Sequence, residues 1–417
     1  MKRTPYLAVL VALLTGYAYA SSLQAVAAYT FTCNGNQNQR SGPCPKGGRP
    51  ESLILGSDGK FYGAAQVSME GDSAPNGGTV FSLASARVKV LHTFVPGPDK
   101  NYADGNLPGL LTEGPDGKLY GETVYGGNDG CNGYCGYGVL YRVNRDGSGF
   151  RVIHKFCSET NCADGVDGYA LVAGADGNVY GTTMGGGSNT CEGYPCGTLF
   201  RVTPSTGKYE VVVNFDETTG GIPSGLIVAA DQTFWGTTEI GSQGQTLFHY
   251  TEATGELQSV PMNFPKVNGL IPQGRLLTIG PHGNFYGVYE IYGVSGAGLF
   301  EFHVGDQQTQ LFPFYTNQDG AGTPLTMLFA SDGNLWIGDL NGNDGYGDIV
   351  ALSPSDGRLI RRLSPFSSSA AIGAYPSEIS QFQDGTLWGT TIQFGKAFTN
   401  HFADGTVFHL NAGLPPR

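Results

Sequence analysis

One pattern recurs seven times along this chain of 417 residues and constrains its fold more than any other feature. Its consensus runs from an apolar triplet through Asp-Gly to a short β run ending in aromatic-Gly. A Gly-rich gap and then Gly-Thr-apolar-aromatic complete it. The aromatic-Gly element stands at Tyr62-Gly63, Tyr120-Gly121, Tyr180-Gly181, Trp235-Gly236, Tyr286-Gly287, Trp336-Ile337-Gly338 and Trp388-Gly389. The sixth copy reads as carrying one intervening residue, Ile337. Successive glycines lie 51 to 60 residues apart. Several short strands at such a period are the mark of propeller blades.

The third copy resolves into four strands, at 169–173, 179–183, 197–202 and 209–215. The Asp176-Gly177 turn tolerates positive φ between the first two. The last copy stops after its third strand, while residues 28–32 (Ala-Tyr-Thr-Phe-Thr) resemble the fourth strand of other copies. The expectation is therefore an all-β, seven-bladed propeller with four antiparallel strands per blade, closed by the N-terminal strand. Closure removes free sheet edges. An open β-solenoid is the alternative.

The start of the chain reads as an export signal. Lys2 and Arg3 precede an apolar stretch, and Ala18-Tyr19-Ala20 is a small-x-small cleavage site. The expectation is a signal peptide at 1–20 and one propeller domain at 21–417, secreted or periplasmic, with no membrane span after cleavage. Without Lys2 and Arg3 the formal charge moves from -12 to -14. That excess argues against nucleic acid as a partner. A monomer is expected.

The eight cysteines fall into close couples: Cys33/Cys44, Cys131/Cys135, Cys157/Cys162 and Cys191/Cys196. In an exported chain these read as local disulfides, with zinc ligation as the alternative. All lie in loops expected on one face, the top, where the connections are long and differ between copies. Variable loops on a rigid scaffold are where binding resides.

Ala175-Asp176-Gly177-Asn178-Val179-Tyr180-Gly181-Thr182-Thr183 and Gly197-Thr198-Leu199-Phe200 resemble a repeat of secreted bacterial propellers. Its core reads D-G-x-L-Y-G-T-T-x-x-G-G-x-x-x-x-G-T-V-F. The chain is similar to the Gloeo/Verruco-type, choice-of-anchor tandem-repeat group. That resemblance implies export and a propeller. It implies no settled catalytic motif, and the surface-anchoring tail common in that group is not evident here.

Departures from the repeat point to the candidate site. After aromatic-Gly most copies carry small residues or Thr, but the second has Glu122 and the sixth Asp339. Glu51, Tyr169, Arg275 and Glu378 are expected at the upper mouth of the channel. Tyr125, Glu239, Glu290, Tyr292 and His401 are expected on top loops. Tyrosine faces with carboxylates suit a glycan, through stacking and hydroxyl hydrogen bonds. A polysaccharide lyase using His401 and Arg275, or a glycoside hydrolase using Glu122 and Glu378, is the enzymatic alternative. A protein-interaction scaffold is the second alternative. No cofactor is expected beyond a possible structural calcium. Asp339, Asn341, Asn343 and Asp348 alternate as oxygen ligands do in calcium loops, although Asp344 stands where such a loop requires Gly.

Overall fold

The computed structural model describes residues 24–34, 44–66, 77–97, 102–127, 136–280, 282–291, 297–313, 324–339, 342, 345–395 and 401–417. Seven antiparallel sheets follow one another along the chain. In blade 3 the strands run A to D as Val166–Ala173, Val179–Gly185, Thr198–Thr203 and Lys208–Asn214. Strand A lies innermost and contacts the strand A of the neighbouring blade at the seams of blades 1 and 2, 2 and 3, 5 and 6, 6 and 7, and 7 and 1. The ring closes as expected: Gln24–Asn34 pairs with His401–Asn411 and supplies strand D of blade 7.

The repeat's glycines explain how the blades stack. The glycine after each strand B aromatic lies opposite a strand C aromatic: Gly63 faces Phe81, Gly121 faces Tyr141, Gly181 faces Phe200, Gly236 faces Phe248 and Gly389 faces Phe408. A Cβ at any of these glycines would overlap that ring. The ring is then met from the next sheet. Phe31, Phe94, Phe156, Phe215, Phe264 and Phe366 end the D strands. Each approaches the strand C ring of the following blade, with centroids 5.0–5.9 Å apart.

Blade 6 reverses the sizes. Trp336 pairs with Leu328 as Tyr180 pairs with Val172, so Ile337 occupies the glycine position itself. It is a substitution rather than the intervening residue that the sequence pattern indicated. Opposite Ile337 stands Val350, where the other blades carry an aromatic ring. Side-chain volume moves from one strand to the other while the pair stays filled.

The aromatic of aromatic-Gly is anchored through the Asp-Gly turn. The hydroxyls of Tyr62, Tyr120 and Tyr180 donate to Asp58, Asp116 and Asp176 at 3.0, 3.2 and 2.8 Å. In blade 5, where His282 replaces the turn aspartate, Tyr286 donates to Glu301 at 2.6 Å instead. Gly56, Gly114, Gly174 and Gly280 admit these tyrosine rings. In the tryptophan blades the same place holds Ala229, Ala330 and Phe382.

Filling the glycine position costs packing. Gly181→Ala should lower stability by about 1–3 kcal/mol through overpacking. Ile337→Gly should lower it by about 2–5 kcal/mol through a cavity, and adding Val350→Phe should recover part of that loss. Urea unfolding of the four variants measures it. Strict additivity of Ile337→Gly and Val350→Phe would show that the two side chains do not share one packing space.

Candidate functional site

Five blades enter the channel through a strained residue. Arg49, Leu107, Asp167, Ile222 and Tyr375 flank the outermost strand A pairs in blades 1, 2, 3, 4 and 7, with φ between 47 and 63°. Proline follows four of them, which makes a helical-type conformation still less favourable. Such residues cost on the order of 1–3 kcal/mol each. A backbone clasp holds them. The N–H groups of Arg49, Leu107, Ile222 and Tyr375 donate to the carbonyls of Asp404, Gly77, Cys196 and Tyr346 in the preceding blade, at 2.6–2.8 Å.

Just inside this rim, strand A bulges. Pairing skips Glu51, Tyr169, Leu325 and Ser377 in blades 1, 3, 6 and 7, and both Gly109 and Leu110 in blade 2. Bulges re-aim side chains beside binding sites. Here they help to line a cavity of about 430 Å³ in the channel, bounded by Leu110, Glu122, Val124, Tyr169, Ser224, Leu226, Ile227 and Leu325. Tyr169 presents an exposed ring.

Glu122 is buried, on the strand B position that the other blades fill with Ala64, Thr182, Thr237, Val288, Gly338 and Thr390. Among the described residues its Oε1 has no hydrogen-bond partner, and neither has the Tyr141 hydroxyl. Burial pushes the Glu122 carboxyl well above the usual range. Burial, and then the Glu122 charge, push Tyr141 up as well.

Glu51 and Glu378 meet at the seam between blades 1 and 7. Burial pushes Glu378 up to about 7, the Leu53 N–H draws it down and the Glu51 charge adds to the rise. Burial also raises Glu51, against the pull of Arg49 at 4.0 Å. Leu53 N–H donates to Glu378 Oε2 at 3.1 Å. Two other seams repeat this contact with neutral groups: Leu111 N–H donates to Ser52 Oγ at 3.2 Å and Ile379 N–H to Thr326 Oγ1 at 3.4 Å. Glu378 thus does at the closing seam what Ser52 and Thr326 do elsewhere.

The remaining expected residues are spread around the rim. Tyr125, Glu239 and Glu290 are half-buried near the ends of three different B strands. Arg275 pairs by backbone with Val288, and His401 with Asn34; their side chains lie outside the described residues. So do Tyr292, Asn341 and Asn343. Asp339 and Asp348 are buried directly opposite one another across strands B and C. Thr183 and Thr198 hold that place in blade 3, joined at 2.8 Å. Asp339 therefore lies one register position beyond Glu122, and the two are not equivalent as the aromatic-Gly pattern implied.

Three cysteine couples are disulfides: Cys33–Cys44, Cys157–Cys162 and Cys191–Cys196. Cys131 and Cys135 lie outside the described residues. Asp404 sits beside the first pair, whose sulfurs are committed to the disulfide and offer no thiolate to a metal. Two histidines serve the outer edge. His92 and His154 bond Asp104 and Asp164 at 2.9 and 2.8 Å and stack on Phe150 and Tyr209. Sequence reasoning missed the apolar cavity wall, because the bulges that turn Leu110 and Leu325 inward have no residue signature.

A raised carboxyl has a pH signature. Between its unfolded and its folded pKa, Glu122 holds more proton in the folded chain, so stability falls as pH rises through that window. Glu122→Gln should match the native protein near pH 4 and exceed it by about 1–3 kcal/mol near pH 8. Thermal melts at the two pH values test this. An equal difference at both would mean that the group is not a buried acid.

The solved structures that resemble this chain share its fold at low identity. The oligogalacturonate lyase of Vibrio parahaemolyticus is 12% identical, with a TM-score of 0.52 over 94% of each chain. PorZ, a surface component of the type-IX secretion system of Porphyromonas gingivalis, is 12% identical, with a TM-score of 0.53 over 90% of this chain and 48% of that one. The extracellular domain of a hybrid two-component system from B. thetaiotaomicron is 13% identical with a TM-score of 0.51. This chain covers 42% of that structure's length. No curated protein matches. The ring-over-glycine pairing, the Asp-Gly anchor and the Gly-Thr entry to strand C are what the repeat encodes. That repeat is the Gloeobacter/Verrucomicrobia repeat, it matches residues 49–298, and the chain belongs to its family.

Proposed function

We propose that this protein is an exported propeller that binds an extracellular glycan at the top mouth of its channel. The observation that carries the reading is the cavity between blades 2, 3 and 4. It sets the exposed ring of Tyr169 beside apolar walls and the Glu122 carboxyl. Sugars offer an apolar face for stacking and hydroxyls for a carboxyl.

Disulfides that tie down the surrounding loops lower the ordering cost of binding. They also fit an oxidising compartment outside the cytoplasm. Among the described residues no helix is long and apolar enough to cross a membrane.

Binding accounts for the geometry with fewer demands than catalysis. A glycosidase needs two carboxyls facing one bond. Glu122 packs against Gly168, whereas Glu378 receives the Leu53 amide at another seam.

Titration calorimetry against neutral, acidic and amino oligosaccharides tests the proposal, with parallel assays for reducing and unsaturated ends. Tyr169→Ala should weaken binding by about tenfold, or ~1.4 kcal/mol. Turnover of any oligosaccharide would replace the binding reading with an enzymatic one. The absence of all carbohydrate binding would leave a protein-interaction scaffold.

A further inference from the structure

Two departures from the repeat meet at one point. At the strand A position paired with Ala65, Thr123, Thr238, Asp339 and Thr391, blades 1, 2, 4, 6 and 7 place Pro50, Pro108, Pro223, Pro324 and Pro376. Blade 3 places Gly168 there and blade 5 Gly274, but only in blade 3 does the preceding blade set a carboxyl against the glycine. A Cβ on Gly168 would stand 2.6 Å from Glu122 Cδ and 2.7 Å from both carboxyl oxygens. Blade 3 thus lacks a side chain at the spot where blade 2 carries its carboxyl. The pair forms a berth that the other seams do not have.

The berth is incomplete without a ligand. Glu122 is only 3% exposed, lines the cavity, and its Oε1 has no donor among the described residues. The titratable side chains near it are Tyr141 of its own blade and Tyr209 of blade 3. No lysine or arginine is among the described residues that line the cavity. One more acid stands close by at the rim: Asp167, exposed and one residue before Gly168.

A donor that brings positive charge answers this arrangement better than a neutral hydroxyl. Hydrogen bonds to an ionised partner are roughly twice as strong as neutral ones. A cation also offsets the burial that opposes ionisation of the acid. An anionic sugar would meet repulsion from the rim acid and from a chain of net charge -12. We propose that the berth recognises the free ammonium group of an amino sugar, seated on Glu122 with the ring's carbon face against Tyr169 and Leu226. This rests on the glycan reading above and names the class of sugar.

The test compares oligomers of glucosamine, of N-acetylglucosamine and of galacturonic acid by titration calorimetry on the full chain. Glucosamine oligomers should bind at least about tenfold tighter than their acetylated counterparts, and galacturonate oligomers most weakly. The preference should vanish in Glu122→Gln, while Tyr169→Ala weakens both neutral and amino ligands alike. Gly168→Ala, whose Cβ would crowd the Glu122 carboxyl out of its place, should also abolish the preference. Circular dichroism melts confirm that each variant folds. Equal affinity for free and acetylated amines, or a preference that survives Glu122→Gln, overturns the proposal while leaving glycan binding intact. Binding of no oligosaccharide removes both readings.

Discussion

Ring against glycine is the contact on which the rest of this structure depends. Each strand C aromatic lies across a strand B glycine and is met from the next sheet by a strand D phenylalanine. One side chain therefore belongs to the cores of two blades at once. Apolar burial of this kind is non-directional, yet here it sets an angle. The missing Cβ lets the ring lie flat on its own sheet, and the phenylalanine abuts it edge-on. Blade 6 shows that volume rather than aromaticity is the conserved quantity of the seam, because Ile337 and Val350 fill the same space with the sizes exchanged.

A ring held this firmly can carry strain at its inner edge. The left-handed residues at the channel entrance, from Arg49 to Tyr375, are unfavourable singly. Each clasp N–H crosses to the preceding blade, so releasing one would require the packed rings behind it to shift too. The glycine of Gly-Thr completes the joint. Gly78, Gly197 and Gly405 have positive φ and lie against Pro108, Pro223 and Pro50 of the next blade. Strain at the rim and packing at the perimeter are thus two ends of one lever. The rim is the end that meets solvent.

Much of the fold was legible because repetition averages out local ambiguity. Seven copies fix the strand count, the closing strand and the positions of the turns, and the cysteine couples fall on one face by topology alone. The sixth copy misled because an isoleucine in a glycine's place looks like an insertion until pairing fixes its register. The candidate site was legible only in part. Glu122 and Tyr169 stand out as departures from the pattern, and the cavity brings them together. Leu110 and Leu325 did not stand out, because a leucine in a strand reads as core, and only the bulge turns it into the channel. Gly168 was hidden for the opposite reason. In a chain with 66 glycines, one more has no visible meaning until its missing proline is set beside the carboxyl it faces.

The acids of the channel differ in kind, and the difference separates architecture from function. Glu378 holds a backbone amide, as Ser52 and Thr326 do, so its carboxyl is satisfied by the fold whatever binds above it. Its rise to about 7 is a consequence of that buried structural post at the closing seam. Glu122 sits at a register position where the other blades use Ala, Thr, Val or Gly, and the fold leaves its Oε1 without a donor among the described residues. A buried polar atom left unsatisfied costs on the order of 1–3 kcal/mol. A repeat that supplies threonine or alanine at this place in other blades could avoid that cost without altering the ring. What holds the channel together thus gives no reason for the carboxyl, and the proposed ligand would supply one.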